Sequence, residues 1–140
     1  MQTKKIGEIN VDSGCIMITD PLYLHNWKHT SFVDKREYRD TKSGKVYVYG
    51  KDFKKYNETL FDEKDVNQLV AEKRLERICE EDKEYSYKGV STTLTQQNSV
   101  ECENNLAIAA RTYSGDGTYP VYAEIEEESE RITKIWIDFV

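Results

Sequence analysis

Asp116 stands between two glycines in the stretch S-G-D-G-T-Y-P-V-Y, Ser114 to Tyr122. Glycines on both sides leave main-chain N–H groups uncovered, so a small anion or polar ligand can approach the backbone closely. Tyr113, Tyr119 and Tyr122 supply hydroxyls and flat faces beside it. Asp-Gly is also favoured as plain turn chemistry, and a hairpin turn between two strands accounts for the stretch without any ligand. Two further aspartates bear on the question. Asp20 ends an apolar run just before Pro21, and Asp138 lies in the closing apolar strand. If Asp20, Asp116 and Asp138 converge, they can hold a divalent cation through oxygen. Their spacing does not demand it, and alternation places Asp138 with Trp136 and Lys134 on the solvent side of its strand.

A second constellation occupies residues 35–56. Eight cations (Lys35, Arg36, Arg39, Lys42, Lys45, Lys51, Lys54, Lys55) face three acids, a local excess of five in an acidic chain. Tyr38, Tyr47, Tyr49, Phe53 and Tyr56 are interleaved with them. Aromatic faces beside Arg and Lys suit a compact nucleotide, with stacking for the base and charge-assisted bonds for the phosphate. An exposed hairpin charged to blunt an edge strand has the same composition.

Other chemistry is poorly supported. His25 and His29 have helical i, i+4 spacing, but without a Glu beside the first they form no metalloprotease signature. No G-x-S-x-G elbow, P-loop or G-x-G-x-x-G is present. Cys15, Cys79 and Cys102 form no C-x-x-C pair, which argues against thiolate zinc and a disulfide framework and for a reducing compartment. No apolar run reaches the roughly 18 residues of a membrane span, so the expected location is cytoplasmic. A net charge of −6 on 140 residues argues against general nucleic-acid binding, which needs a dominant basic field.

The elements that must position these residues read as follows. Residues 4–11 and 15–18, separated by Asp12-Ser13-Gly14, predict a hairpin whose second strand is buried on both faces. A second hairpin is predicted around T-K-S-G-K, with Tyr38 on one arm and Val46 to Tyr49 on the other. Residues 63–80, free of Gly and Pro, predict one long helix; its apolar residues fall on opposite faces on either side of Lys73, so the helix is either covered on two sides or breaks near Lys73. Tyr85–Leu94, Leu106–Tyr113, Val121–Ile125 and Ile132–Phe139 read as strands, with Glu126–Glu130 as a charged turn. The fold class is therefore α+β: one domain over residues 1–140, with a largely antiparallel sheet, free to curl, and one helix against it.

V-D-S-G-C-I-M-I-T-D-P at Val11–Pro21, G-D-G-T-Y-P-V-Y at Gly115–Tyr122 and I-W-I-D-F at Ile135–Phe139 resemble a group of small bacterial and bacteriophage proteins. These share a D-S-G…D-P opening, a G-D-G-x-Y-P-V turn and a final acidic-aromatic strand. The resemblance covers roughly the first 20 and last 30 residues on the logic of such motifs. It implies a phage or bacterial setting and a β-rich frame, with no reaction attached.

The expected function is that of a non-enzymatic, phage-type binding protein. It would sequester a small anionic ligand, in particular a nucleotide immune signal, and so disarm a host defence. The expected ligand-binding set is Gly115, Asp116, Gly117, Tyr119, Asp20, Tyr47, Tyr49, Arg36 and Arg39, with neither cofactor nor metal assigned. A pocket shared between copies buries a nucleotide better than one small sheet, so a homo-oligomer is expected. The alternatives are a protein-binding inhibitor of a host factor, using Glu124–Glu130 or the basic island, and a metal-dependent phosphoesterase using Asp20, Asp116 and Asp138.

Overall fold

The computed structural model describes residues 1–140. In chain order the elements begin with β1 (Gln2–Val11), β2 (Cys15–Thr19), a 3₁₀ turn (Pro21–Asn26), β3 (Glu37–Asp40) and β4 (Val46–Val48). Next come β5 (Thr59–Phe61), β6 (Lys64–Asp65), α1 (Val66–Ala71), β7 (Leu75–Arg77) and α2 (Tyr87–Leu94). The chain closes with β8 (Ser99–Glu101), a second 3₁₀ turn (Glu103–Asn105), β9 (Ala107–Arg111), β10 (Gly117–Ile125) and β11 (Ile132–Ile137). The architecture is α+β with open antiparallel sheets: β1-β10-β11, β2-β9-β8, β4-β3-β7 and the small pair β5-β6.

The first expected hairpin does not form. β1 pairs with β10 and β2 with β9, so residues 2–19 run antiparallel to residues 107–125 as one long ribbon. Asp12-Ser13-Gly14 and Thr112–Asp116 are facing interruptions in that ribbon, and neither is a hairpin turn. The reason is cross-strand bonding at the break: Thr112 N donates to Gly14 O at 2.9 Å, and Gly14 N donates to Asp116 Oδ1 at 2.7 Å. β2 is correspondingly half-buried, with Ile18 exposed.

The T-K-S-G-K hairpin does form, pairing Tyr38 with Tyr47 and Arg39 with Val46. Its turn is held by the buried Asp40, whose Oδ1 accepts from Lys42 N at 2.8 Å. β10 and β11 form a further hairpin around the charged loop.

The helix expected over 63–80 is shorter. α1 starts on a capping box, Gln68 N to Asp65 Oδ1 at 2.8 Å and Asp65 N to Gln68 Oε1 at 2.9 Å, and ends at Ala71. Lys73 then adopts a left-handed φ of 61°. This reversal resolves the conflict between the two apolar faces, because it brings Leu75 on β7 into the same cluster as Val66 and Leu69. A continuous helix would have pointed Leu75 away from that cluster.

Residues 85–94, expected as a strand, do not form one: Tyr87–Leu94 is α2 instead. Ser86 caps it by accepting from Gly89 N at 2.9 Å, and Val90, Thr93 and Leu94 are buried along one face.

Two separate cores result. One joins α2 to β8 and β9 through Tyr85, Val90, Leu94, Val100, Cys102, Ala107 and Ala109. Tyr85 is fully buried there, its hydroxyl 2.8 Å from Thr19 Oγ1. The other joins α1, β3 and β7 through Tyr38, Phe53, Val66, Leu69 and Leu75. No helix is long and apolar enough to cross a membrane.

Candidate functional site

The glycine corner is built from both interruptions of the ribbon. Gly14 and Gly115 hold positive φ of 68° and 76°, a conformation that glycine adopts without a steric penalty. The polar groups of the corner are largely engaged within the protein. Asp116 binds Gly14 N, and the hydroxyls of Thr112 and Tyr119 both donate to Gly115 O at 2.6 Å. Ser114 Oγ donates to Phe139 O at 2.6 Å, and the Phe139 ring stands edge-on to Tyr119 at 5.7 Å. Gly115, Asp116, Gly117 and Tyr119 therefore do meet, around a joint that is closed by its own hydrogen bonds.

Asp20 lies at the far end of β2 and caps the 3₁₀ turn, accepting from Leu22 N at 2.9 Å. Asp138 is exposed beyond β11. The convergence that a phosphoesterase would require is not there: Asp20, Asp116 and Asp138 form no group able to hold a metal ion.

The basic-aromatic island lies on and beside the sheet β4-β3-β7, and no hydrogen bond, ion pair or ring contact links it to the glycine corner. Of its eight cations only Arg36 makes an ion pair. Arg36 Nε donates to Asp34 Oδ2 at 3.1 Å while its guanidinium lies 5.0 Å from the Tyr49 ring centre; the bond to Asp34 raises its pKa. Tyr49 stacks on Tyr56 at 5.5 Å. Tyr47 packs against Phe61 at 5.3 Å, with Lys45 Nζ 4.9 Å from its ring centre. Arg39 is exposed on β3.

The hollow that the island borders lies elsewhere, in the seam between the two cores. A cavity of about 260 Å³ is lined by Phe32, Asp34, Arg77, Cys79, Asp82 and Lys88, among others. A second, of about 460 Å³, opens beside it against Tyr38, Tyr56, Val66 and Val70. Arg77 and Thr95 line both.

Arg77 is thus central. It leaves the end of β7 and donates from Nη2 to Asp34 Oδ1 at 2.6 Å, so Asp34 bridges Arg36 and Arg77. Its Nε is buried and has no partner. On the α2 side, Lys88 Nζ donates to Asp82 Oδ2 at 2.9 Å, which raises the Lys88 pKa. The Asp82 carboxyl is held low first by the Glu84 main-chain N–H and then by Lys88. Tyr38 OH donates to Tyr56 OH at 3.2 Å; burial and that bond push the Tyr38 phenol up to about 12. This arrangement offers a buried guanidinium donor, two paired phenols and flat apolar walls.

Sequence reasoning missed Arg77, Asp34, Asp82 and Lys88. Arg77 was hidden because the run R-L-E-R-I-C reads as helix, where it is one solvent-facing cation among many. No protein-family model, curated protein or solved structure matches the chain.

Proposed function

We propose that this protein is a non-enzymatic binding protein that sequesters a small ligand in the seam between its two cores. The observation that carries this reading is Arg77: a guanidinium shared by two adjoining hollows whose Nε is buried without a partner. A buried donor left unpaired costs free energy of roughly 1–3 kcal/mol, and an acceptor oxygen on a ligand removes that cost. Pockets between packed units are the usual place for small-molecule sites.

The lining narrows the ligand class. Lys35, Arg77 and Lys88 are set against Asp34, Glu37, Glu80 and Asp82, a near balance that disfavours a polyanion. The seam suits a flat ring system with hydroxyls or amides and one or two negative charges. In the bacterial or phage setting that the resemblance implies, a cyclic nucleotide signal is such a molecule. Capture needs affinity alone.

The test is isothermal titration of the purified protein with cyclic dinucleotides, cyclic ADP-ribose isomers, AMP and GMP. One of these is expected to bind with a measurable heat. Arg77→Lys, which keeps the charge and loses the planar donor set, is expected to weaken it at least tenfold. Silence across the panel overturns the reading, as does binding that Arg77→Lys leaves unchanged.

A further inference from the structure

Residues 29–35 cross from one core to the other as a strap without helix or strand. Its ends are tied by main-chain bonds. Lys28 N donates to Tyr85 O at 2.9 Å beside the first core, and Tyr49 N donates to Arg36 O at 2.9 Å beside the second. Between those anchors the strap makes no main-chain to main-chain hydrogen bond, so side chains hold it down. The half-buried Phe32 ring stands edge-on to Tyr87 on α2 at 6.1 Å, and Asp34 reaches Arg77 at the end of β7. Ser31 through Lys35 all line the first cavity of the seam. The strap is one of its walls.

The hold on Arg77 is half made. In arginine, Nε–H and one Nη2 hydrogen point out along the same edge of the plane, a fork that grips a carboxylate or phosphate through two parallel bonds. Asp34 fills only the Nη2 prong, with Oδ1 at 2.6 Å. Its Oδ2 is turned to Arg36 Nε at 3.1 Å, and the Nε prong of Arg77 stays buried without a partner. The fork is thus a seat for two oxygens that the chain occupies with one.

Release of this contact is inexpensive. The Asp34 side chain is 37% exposed and that of Arg77 25%, and a pair so open to water is held weakly. Asp34 that leaves Arg77 keeps Arg36 as its partner, so no charge is stranded.

We propose that Asp34 is an internal stand-in for the ligand's oxyanion: a carboxylate or phosphate that takes both prongs of Arg77 displaces Asp34 and lets the strap lift from the seam. Resting on the reading of the seam as a ligand site, this exchange adds the group that Arg77 grips and the segment that moves when it arrives.

Benzoate and phenyl phosphate, each a flat ring bearing one oxyanion, probe the exchange and separate carboxylate from phosphate. Chemical-shift titration of the whole chain gives the affinity. Chymotrypsin cleavage after the half-buried Phe32, mapped by mass spectrometry, reports lifting of the strap. At least one probe is expected to bind wild type and to speed that cleavage about fivefold, as opening of a local segment does. Asp34→Ala, at an exposed position, is expected to be cleaved fast without a probe and to bind it about tenfold more tightly, since the fork is then free. Glu37→Gln removes the same charge from the same cavity lining and is expected to change affinity less than about threefold. No binding of either probe, protection of Phe32 by a bound probe, or equal effects of the two substitutions overturns the proposal. A silent nucleotide panel beside a strap that lifts with either probe removes the nucleotide signal and leaves the exchange standing.

Discussion

The main-chain N–H of Gly14 donates to the Asp116 carboxylate over 2.7 Å, across a sequence separation of 102 residues. The two motifs that stand out at opposite ends of the sequence are therefore the two halves of one joint. Asp116→Ala removes the acceptor and is expected to lower unfolding free energy by about 1–2 kcal/mol, the worth of a hydrogen bond to a charged group. Asp116→Asn keeps an acceptor oxygen and should lose less. Urea denaturation of the three proteins checks the order; equal stability of Asp116→Ala and wild type would mean the bond contributes nothing.

Gly89 provides a test of opposite sign to the usual rule. Replacing a helical glycine by alanine normally stabilises a helix by about 1 kcal/mol. Here a Cβ on Gly89 would lie 2.2 Å from the main-chain oxygen of Glu84, an impossible approach to backbone that has little room to retreat. Gly89→Ala is expected to destabilise by about 1–3 kcal/mol, as overpacking does. A denaturation midpoint at or above that of wild type contradicts this placement of α2.

Acid should loosen the second core through Asp40. Its carboxylate is buried and clamped by Arg74, Nε to Oδ1 at 2.9 Å and Nη2 to Oδ2 at 3.1 Å. The Arg74 bond, followed by the Lys42 main-chain N–H, holds its pKa well below the ordinary carboxylate value. A lowered folded-state pKa means that the stabilisation is complete above about pH 4, the unfolded value, and fades as pH falls towards the folded one. Asp82 and Glu84 are shifted in the same direction, so they share the effect. Urea midpoints from pH 6 to pH 2.5 should fall steeply below pH 4 in wild type and less steeply in Asp40→Asn.

Two of the three thiols, Cys79 and Cys102, should separate by rate. Cys79 is exposed beside the seam, whereas Cys102 is buried in the first core. Partial desolvation pushes the Cys79 thiol upward in pKa, and burial with help from Glu103 does the same for Cys102. Native labelling with a disulfide reagent should still reach Cys79 about a hundredfold faster than Cys102, which waits for opening of its core. A ligand in the seam should protect Cys79 alone, and equal rates for the two would contradict the burial of Cys102.

Local chemistry made part of this fold legible in the sequence. The β3-β4 hairpin was readable because Asp40, Gly44 and the alternating tyrosines all act within a few residues of one another, and β9, β10 and β11 were readable from their apolar runs. What escaped was pairing at a distance. Asp12-Ser13-Gly14 and Gly115-Asp116-Gly117 each satisfy hairpin preferences, so nothing local reveals that each is matched by the other. A break near Lys73 was legible as one of two outcomes from the switch of apolar faces, but good helix formers on both sides left the choice open; the competition of Leu75 and Leu69 for one core decides it. α2 escaped because its Ser, Thr and Gly content favours a helix weakly until Ser86 caps it and Val90 and Leu94 are buried. The seam residue Arg77 was lost with the helix that was expected to contain it.

The ribbon that joins residues 2–19 to residues 107–125 sets an order of events during synthesis. Val11 pairs with Gly117, so β1 leaves the ribosome more than a hundred residues ahead of its partner. At bacterial and eukaryotic elongation rates that is a delay of roughly 5–20 s. Its unpaired backbone is open to any other extended chain until β10 arrives. The lysines at positions 4 and 5 and the bulge between Lys5 and Gly7 are the features that guard a lone strand against such misplaced pairing.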